Sequence, residues 1–264
     1  MKVRHWAPGD PSGVTRRDFL AAGVLAVCLP EGASRLFDAS STAVPDPRLT
    51  ARPGVPVTNA APGVTQLTDE LDGAGFLYVP KGYRPDTPAP LVVALHGGGG
   101  YAGFWTRFYE VCDDRGMVLL APEAQARTWD GVRGMMGPDV RFIDSALQYT
   151  FDRCLVDADH LALIGFSDGA SYALSLGPSN GDLFTHLIAF SPGFSTPEDP
   201  IVGSPEVFVS HGSQDRSLAV EMSRDAIVPM FEMDGYSIRY DEFVGGHEMP
   251  SDVVAQALDW FLGA

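Results

Sequence analysis

The sequence predicts an α/β fold: a single domain built on a mostly parallel sheet with helices on both faces. Three observations predict it. Apolar runs of strand length recur along the chain, amphipathic helical stretches separate them, and one run ends in the pentapeptide Gly165-Phe166-Ser167-Asp168-Gly169. Strands alternating with helices make a parallel sheet, because each parallel connection needs a crossover that a helix supplies.

The first segment is read as an address. Thr15-Arg16-Arg17-Asp18-Phe19-Leu20 precedes the apolar AAGVLAVCL of 21–29, a pattern that predicts a twin-arginine (Tat) signal peptide over 1–43, with small residues at Ser41–Ala43 for cleavage. The apolar stretch is too short to span a bilayer stably. Val27 is bulky for the residue before a lipidated Cys28, which disfavours a lipoprotein signal. The expected partner is the Tat export machinery, and the expected location is extracellular, periplasmic or cell-wall associated. Residues 44–64 carry Pro45, Pro47, Pro53, Pro56 and Pro62 with little apolar pattern and read as a Pro-rich tether; the domain proper is expected over 65–264.

Within that domain, strands are expected at 75–79 (GFLYV), 91–95 (LVVAL), 117–121 (MVLLA), 161–164 (LALI), 187–190 (LIAF), 206–210 (EVFVS) and 236–244. LVVAL is apolar throughout, as a strand covered on both faces must be. Helices are expected at 140–154, where Val140, Ile143, Leu147, Phe151 and Cys154 share a face behind an Asp139 N-cap, at 170–176, and at 252–262 behind Ser251. Cys112 and Cys154 end helices on opposite sheet faces, too far apart to pair, so free buried thiols are expected.

The formal net charge is −16, and the only lysines are Lys2 and Lys81. That balance argues against a nucleic-acid surface, which needs clustered cations, and against docking on an anionic membrane.

The chemistry starts from Gly165–Gly169, which follows a strand and opens a helix. There the G-x-S-x-G pattern sets a serine on a sharp turn with its hydroxyl exposed, and the two glycines clear space a Cβ would fill. Ser167 is therefore the candidate nucleophile. A hydroxyl needs a base, and the base needs a third group to hold its tautomer. In sheets of this kind the acid and then the base follow the nucleophile along the chain. His186, His211 and His247 lie beyond Ser167. His186 starts a strand, with Asp182 only four residues before it. His211 has Asp199 before it, in a Pro-bounded loop with no strand leading to it. His247 sits in the Gly-Gly-His turn before the last helix and is the candidate base. Asp215, at the end of the 206–210 strand, is the candidate acid, ahead of Asp225, Asp234 and Asp241.

The loop His96–Gly100 follows LVVAL, and its glycines can turn amides inward; Gly98 and Asp168 are the candidate oxyanion donors. A phosphate-binding loop would want a lysine that is missing. The Asp168 carboxylate is expected to face the helix N-terminus and solvent. His247-Glu248 is followed by Ser251 where a zinc-protease helix has His, so no metal and no cofactor are expected. Tyr101, Phe104, Trp105, Trp129, Met135, Met136 and Phe194 are the candidate pocket lining.

With PLVVALHGGGG (90–100), APE (121–123), DVRFI (139–143), GFSDG, HGSQD (211–215) and GGH (245–247) in this order, the chain resembles the α/β-hydrolase superfamily. It is most similar to secreted serine esterases of the phospholipase/carboxylesterase, polyhydroxybutyrate-depolymerase-like and feruloyl-esterase-like groups. The resemblance implies ester hydrolysis by a Ser–His–Asp triad. Depolymerases carry Cys and Gln where this chain has glycines, which favours small or medium soluble esters. A polyester depolymerase, serine peptidase or thioesterase, and a non-catalytic binding protein on the same scaffold, are the alternatives.

Overall fold

The computed structural model describes residues 46–134 and 136–264; the expected signal segment 1–43 and the pocket candidate Met135 lie outside the described residues. Eight strands form one sheet: β1 (Gly63–Gln66), β2 (Gly75–Val79), β3 (Ala89–Leu95), β4 (Val118–Pro122), β5 (Val156–Phe166), β6 (His186–Phe190), β7 (Glu206–Gly212) and β8 (Ile238–Phe243), in the order β1-β2-β4-β3-β5-β6-β7-β8. β1 and β2 run antiparallel to their neighbours, and every pairing from β4 to β8 is parallel.

The helices are α1 (Tyr109–Arg115), α2 (Pro138–Phe151), α3 (Asp168–Leu176), α4 (Val228–Met233) and α5 (Ser251–Phe261). Alternation along the strands sorts the core into two layers. Leu91, Val93 and Leu95 of β3 face α2, α3 and α4, whereas Val92 and Ala94 face α1 and α5. Each central strand is covered twice, and this is why its sequence reads as an unbroken apolar run. Cys112 belongs to one layer and Cys154 to the other, and both are buried free thiols.

Four local expectations are corrected. The segment read as a tether packs onto the domain: Leu49 and Ala51 are buried, and the Thr50 and Ala51 amides donate to the Asp144 carboxylate. Arg48 grips Asp182 with two hydrogen bonds, and Arg52 donates a third. The prolines set extended backbone there without making it free. β1 was hidden at the end of this segment, because a four-residue edge strand with alternate residues half exposed carries almost no apolar signal.

β5 begins five residues before the apolar run: buried Val156 pairs with Ala89, and the half-exposed and exposed residues up to His160 pass a register shift before Leu161 pairs with Leu91. Asp139 does not cap α2. It lies inside the first turn after Pro138, fully buried, with its carboxylate accepting the Gln125 and Asp130 amides. Ser251 is likewise the first residue of α5, following the extended Pro250.

Candidate active site

β5 delivers Ser167 to the strand-end face of the sheet. Its φ of 57° and ψ of −122° lie where side chains rarely sit, and strain of this kind persists only when the surroundings impose it. They do so here. The Ser167 amide donates to Phe190 O at 2.9 Å, and the neighbouring chains come very close. A Cβ on Gly165 would lie 2.2 Å from Gly169 O, and one on Gly169 would lie 2.2 Å from Leu95 O. Glycine at both places is a packing requirement.

The sheet then gathers the other two candidates. Asp215 follows β7 and His247 follows β8. The His247 Nε2 is 2.8 Å from Ser167 Oγ, and its Nδ1 is 2.6 Å from Asp215 Oδ2. A carboxylate only accepts, so Nδ1 carries the proton and Nε2 presents its lone pair to the serine hydroxyl. Burial pushes the Asp215 carboxyl up, but the Leu218 amide, His247 and the Ser217 amide together hold it below its ordinary value. Asp215 is thus an anion with fixed orientation.

The glycine loop abuts the same point. An ideal Cβ on Gly97 would lie 3.2 Å from Ser167 Cβ. The Gly99 amide donates to Arg127 O and the Gly100 amide to Gly97 O. Among the described residues, neither the Gly98 nor the Asp168 amide meets a hydrogen-bond acceptor. Sequence reading missed what holds this loop. His96 is buried, its Nε2 accepts the Ala124 amide at 3.1 Å, and Nδ1 therefore donates to Gly97 O at 2.8 Å. Trp129 Nε1 donates to His96 O at 2.8 Å. The signal available was a histidine placed directly before a glycine run.

The Asp168 side chain corrects another expectation. It is turned toward the loop and not to solvent: Thr128 Oγ1 donates to its Oδ2 at 2.7 Å, and that oxygen lies 2.2 Å from where a Gly98 Cβ would be.

The pocket candidates divide. Phe104 is half-buried and stacks on Phe166 with centroids 5.6 Å apart, and Phe166 lies 4.8 Å from the His247 ring. Tyr101 is exposed beside the glycine loop. Phe194 is half-buried, on the loop after β6 whose Gly193 amide donates to Ser171 Oγ. Trp105, Trp129 and Met136 are buried, Trp105 in one core layer and Trp129 and Met136 in the other. Among the described residues no group of three His, Cys, Asp or Glu side chains is arranged to hold a metal ion, and no helix is long and apolar enough to cross a membrane.

A strand-order reversal at the centre of a parallel sheet, a strained serine after its fifth strand, and acid and histidine after its seventh and eighth strands together decide the architecture. The fold is that of the α/β-hydrolases. A phospholipase/carboxylesterase from Dyadobacter fermentans has a similar fold, with a TM-score of 0.55 at 20% identity, over 77% of this chain and 100% of that one. Two curated relatives are similar in sequence. NocK of Nocardia uniformis subsp. tsuyamanensis, a protein named as an esterase, is 30% identical over 212 residues, covering 70% of this chain and 59% of its own. Feruloyl esterase B of Thermothelomyces thermophilus is 32% identical over 119 residues, covering 41% of this chain and 40% of its own. The chain thus spans about half the length of the curated relatives it matches. No protein-family model matches it.

Proposed function

We propose that this α/β-hydrolase is a serine esterase that cleaves small or medium soluble carboxylic esters. One observation carries the reading: His247 bridges Ser167 Oγ at 2.8 Å and Asp215 Oδ2 at 2.6 Å, the spacing that general-base activation of a hydroxyl requires. The esterase names of its relatives agree with it.

In the proposed reaction, Ser167 Oγ attacks the ester carbonyl carbon while its proton passes to His247 Nε2. Asp215 accepts from Nδ1 and stabilises the imidazolium that forms. The carbonyl oxygen, now negative, receives the Gly98 and Asp168 amides. Collapse breaks the bond to the alcohol oxygen, which takes the proton from His247. Water then repeats the sequence on the acyl-serine, releases the acid and restores the hydroxyl. Phe104, Tyr101 and Phe194 border the substrate. The twin-arginine pattern at 15–20 supports export by the Tat machinery, with the enzyme acting outside the cytoplasm.

The test is reaction with a fluorophosphonate probe, followed by mass mapping of the modified residue. Adduct on Ser167, with Ser167→Ala unlabelled and inactive on p-nitrophenyl acetate but folded, is the expected result. Turnover that survives Ser167→Ala sinks the assignment. A panel of esters, thioesters and peptides then ranks the substrate classes.

A further inference from the structure

His211 is a fully buried titratable side chain that the proposed reaction does not use, and its neighbours are polar. It lies on β7 with its side chain fully buried, four residues before Asp215, whose carboxylate is also fully buried. Its Nε2 is 3.1 Å from Leu218 O and 3.2 Å from Asp215 Oδ2, the same oxygen that accepts from His247. Its Nδ1 is 2.7 Å from Ser223 Oγ.

These partners fix the proton. A carbonyl and a carboxylate both only accept, so a bare Nε2 would face two negative oxygens in a dry site; Nε2 must carry the hydrogen. Nδ1 then holds the lone pair, and Ser223 donates its hydroxyl proton to it. Ser223 is fully buried and stands in a π-helical turn, Met222–Ile227, a distortion found often beside functional sites. The titratable groups in contact with Asp215 are His247 and His211; its Oδ1 is filled by the Ser217 and Leu218 amides.

We propose that His211 is a positioning residue for the reaction: its Nε2–H, donated to Leu218 O, stands 3.2 Å from the Asp215 oxygen that accepts from His247, and the positive N–H edge sets how strongly Asp215 pulls on the His247 proton. The proposal rests on the serine-esterase reading of the site. A hydrocarbon side chain could fill the same volume without a buried hydroxyl to satisfy, so a packing role alone leaves the Ser223–His211–Asp215 series without a reason.

The consequence is a pH effect with a definite sign. Without that N–H edge beside it, the charge on Oδ2 acts wholly on His247 and favours its protonated form. The acid limb of kcat/KM, which reports the base of the free enzyme, then moves to higher pH.

The experiment compares His211→Gln, His211→Leu and His211→Met with the native enzyme on p-nitrophenyl acetate across pH, with the rate of phosphonate labelling at Ser167 measured alongside. The Gln amide can reach the place of Nε2–H, whereas Leu cannot donate. His211→Leu is expected to lose roughly tenfold to a hundredfold in kcat at neutral pH, with little change in KM. Its acid limb is expected to rise by about half to one pH unit. His211→Gln should stay within roughly threefold of native with its limb in place, since the donor is kept.

Equal losses in Gln and Leu with an unmoved limb overturn the proposal and leave His211 a packing residue. If His211→Leu does not fold, His211→Met decides, since its side chain fills the volume without an N–H and an unmoved limb overturns the idea. Absence of ester turnover or of Ser167 labelling in the native enzyme instead overturns the esterase reading, and this proposal with it.

Discussion

His247 lies 80 residues beyond Ser167 in the chain, yet its Nε2 stands 2.8 Å from the serine hydroxyl. Three parallel pairings bring about this meeting. β6 joins β5 to β7, and β8 adds to β7 in register, so the loops that leave β5, β7 and β8 open on one edge of the sheet.

The acid can be tested without disturbing this geometry. Asp215→Asn keeps the shape of the carboxylate, but its amide no longer demands a proton on His247 Nδ1, so the imidazole can adopt the wrong tautomer. A fall in kcat on the order of 10⁴-fold is expected, with the urea midpoint nearly unchanged. A loss below tenfold would place the orienting acid elsewhere.

Gly98→Ala tests the donor loop. Its Cβ would lie 2.2 Å from Asp168 Oδ2, an oxygen already held by Thr128, so the loop must move and carry the Gly98 amide with it. A loss in kcat on the order of 10²-fold is expected. Adding Asp168→Ala removes the obstruction and keeps the Asp168 amide; steady-state kinetics on the double variant should recover most of that loss. Native kcat in the single variant would rule Gly98 out as a donor.

Acid stability should depend on the segment docked by Asp182. Its guanidinium partners, Arg48 first and Arg52 next, hold the carboxyl at about 2 against an ordinary 3.8. The depressed value means that the unfolded chain binds this proton first. The contribution is therefore whole above about pH 4 and is lost as pH falls toward 2. Urea midpoints measured through that range should fall less steeply for Asp182→Asn than for the native protein, and identical slopes would refute the linkage.

The cysteines offer a check on burial. Desolvation pushes both Cys112 and Cys154 up to about 12, so neither forms thiolate at pH 8. An aromatic disulfide reagent should titrate at most one thiol in the folded chain and all three after denaturation. Rapid modification of Cys112 or Cys154 in the native state would contradict the packing.

The residues of the candidate site were legible to different depths. Ser167 is marked by a local pattern, because the turn that strains it needs glycine at 165 and 169 within five residues. Asp215 and His247 were found by order along the chain and by the strands that precede them. The aromatic and Met candidates could not be sorted in this way. Trp105 and Phe104 are adjacent in sequence, yet one is core and the other lies beside Phe166. Which side of a short 3-10 turn faces the sheet is settled by packing.

By itself, the sequence determined the sheet's covered strands, the elbow and the chain order of nucleophile, acid and base, since these are written in periodicity and in the spacing of glycines. Only the tertiary structure decided that residues 46–60 dock on the domain, that Asp168 turns toward Gly98 and Thr128, and that His211 stands 3.2 Å from the Asp215 oxygen that accepts from His247. The reason is common to all three. Each is a polar contact whose partners carry no periodic signal, so the partner is chosen by the fold that brings the two together.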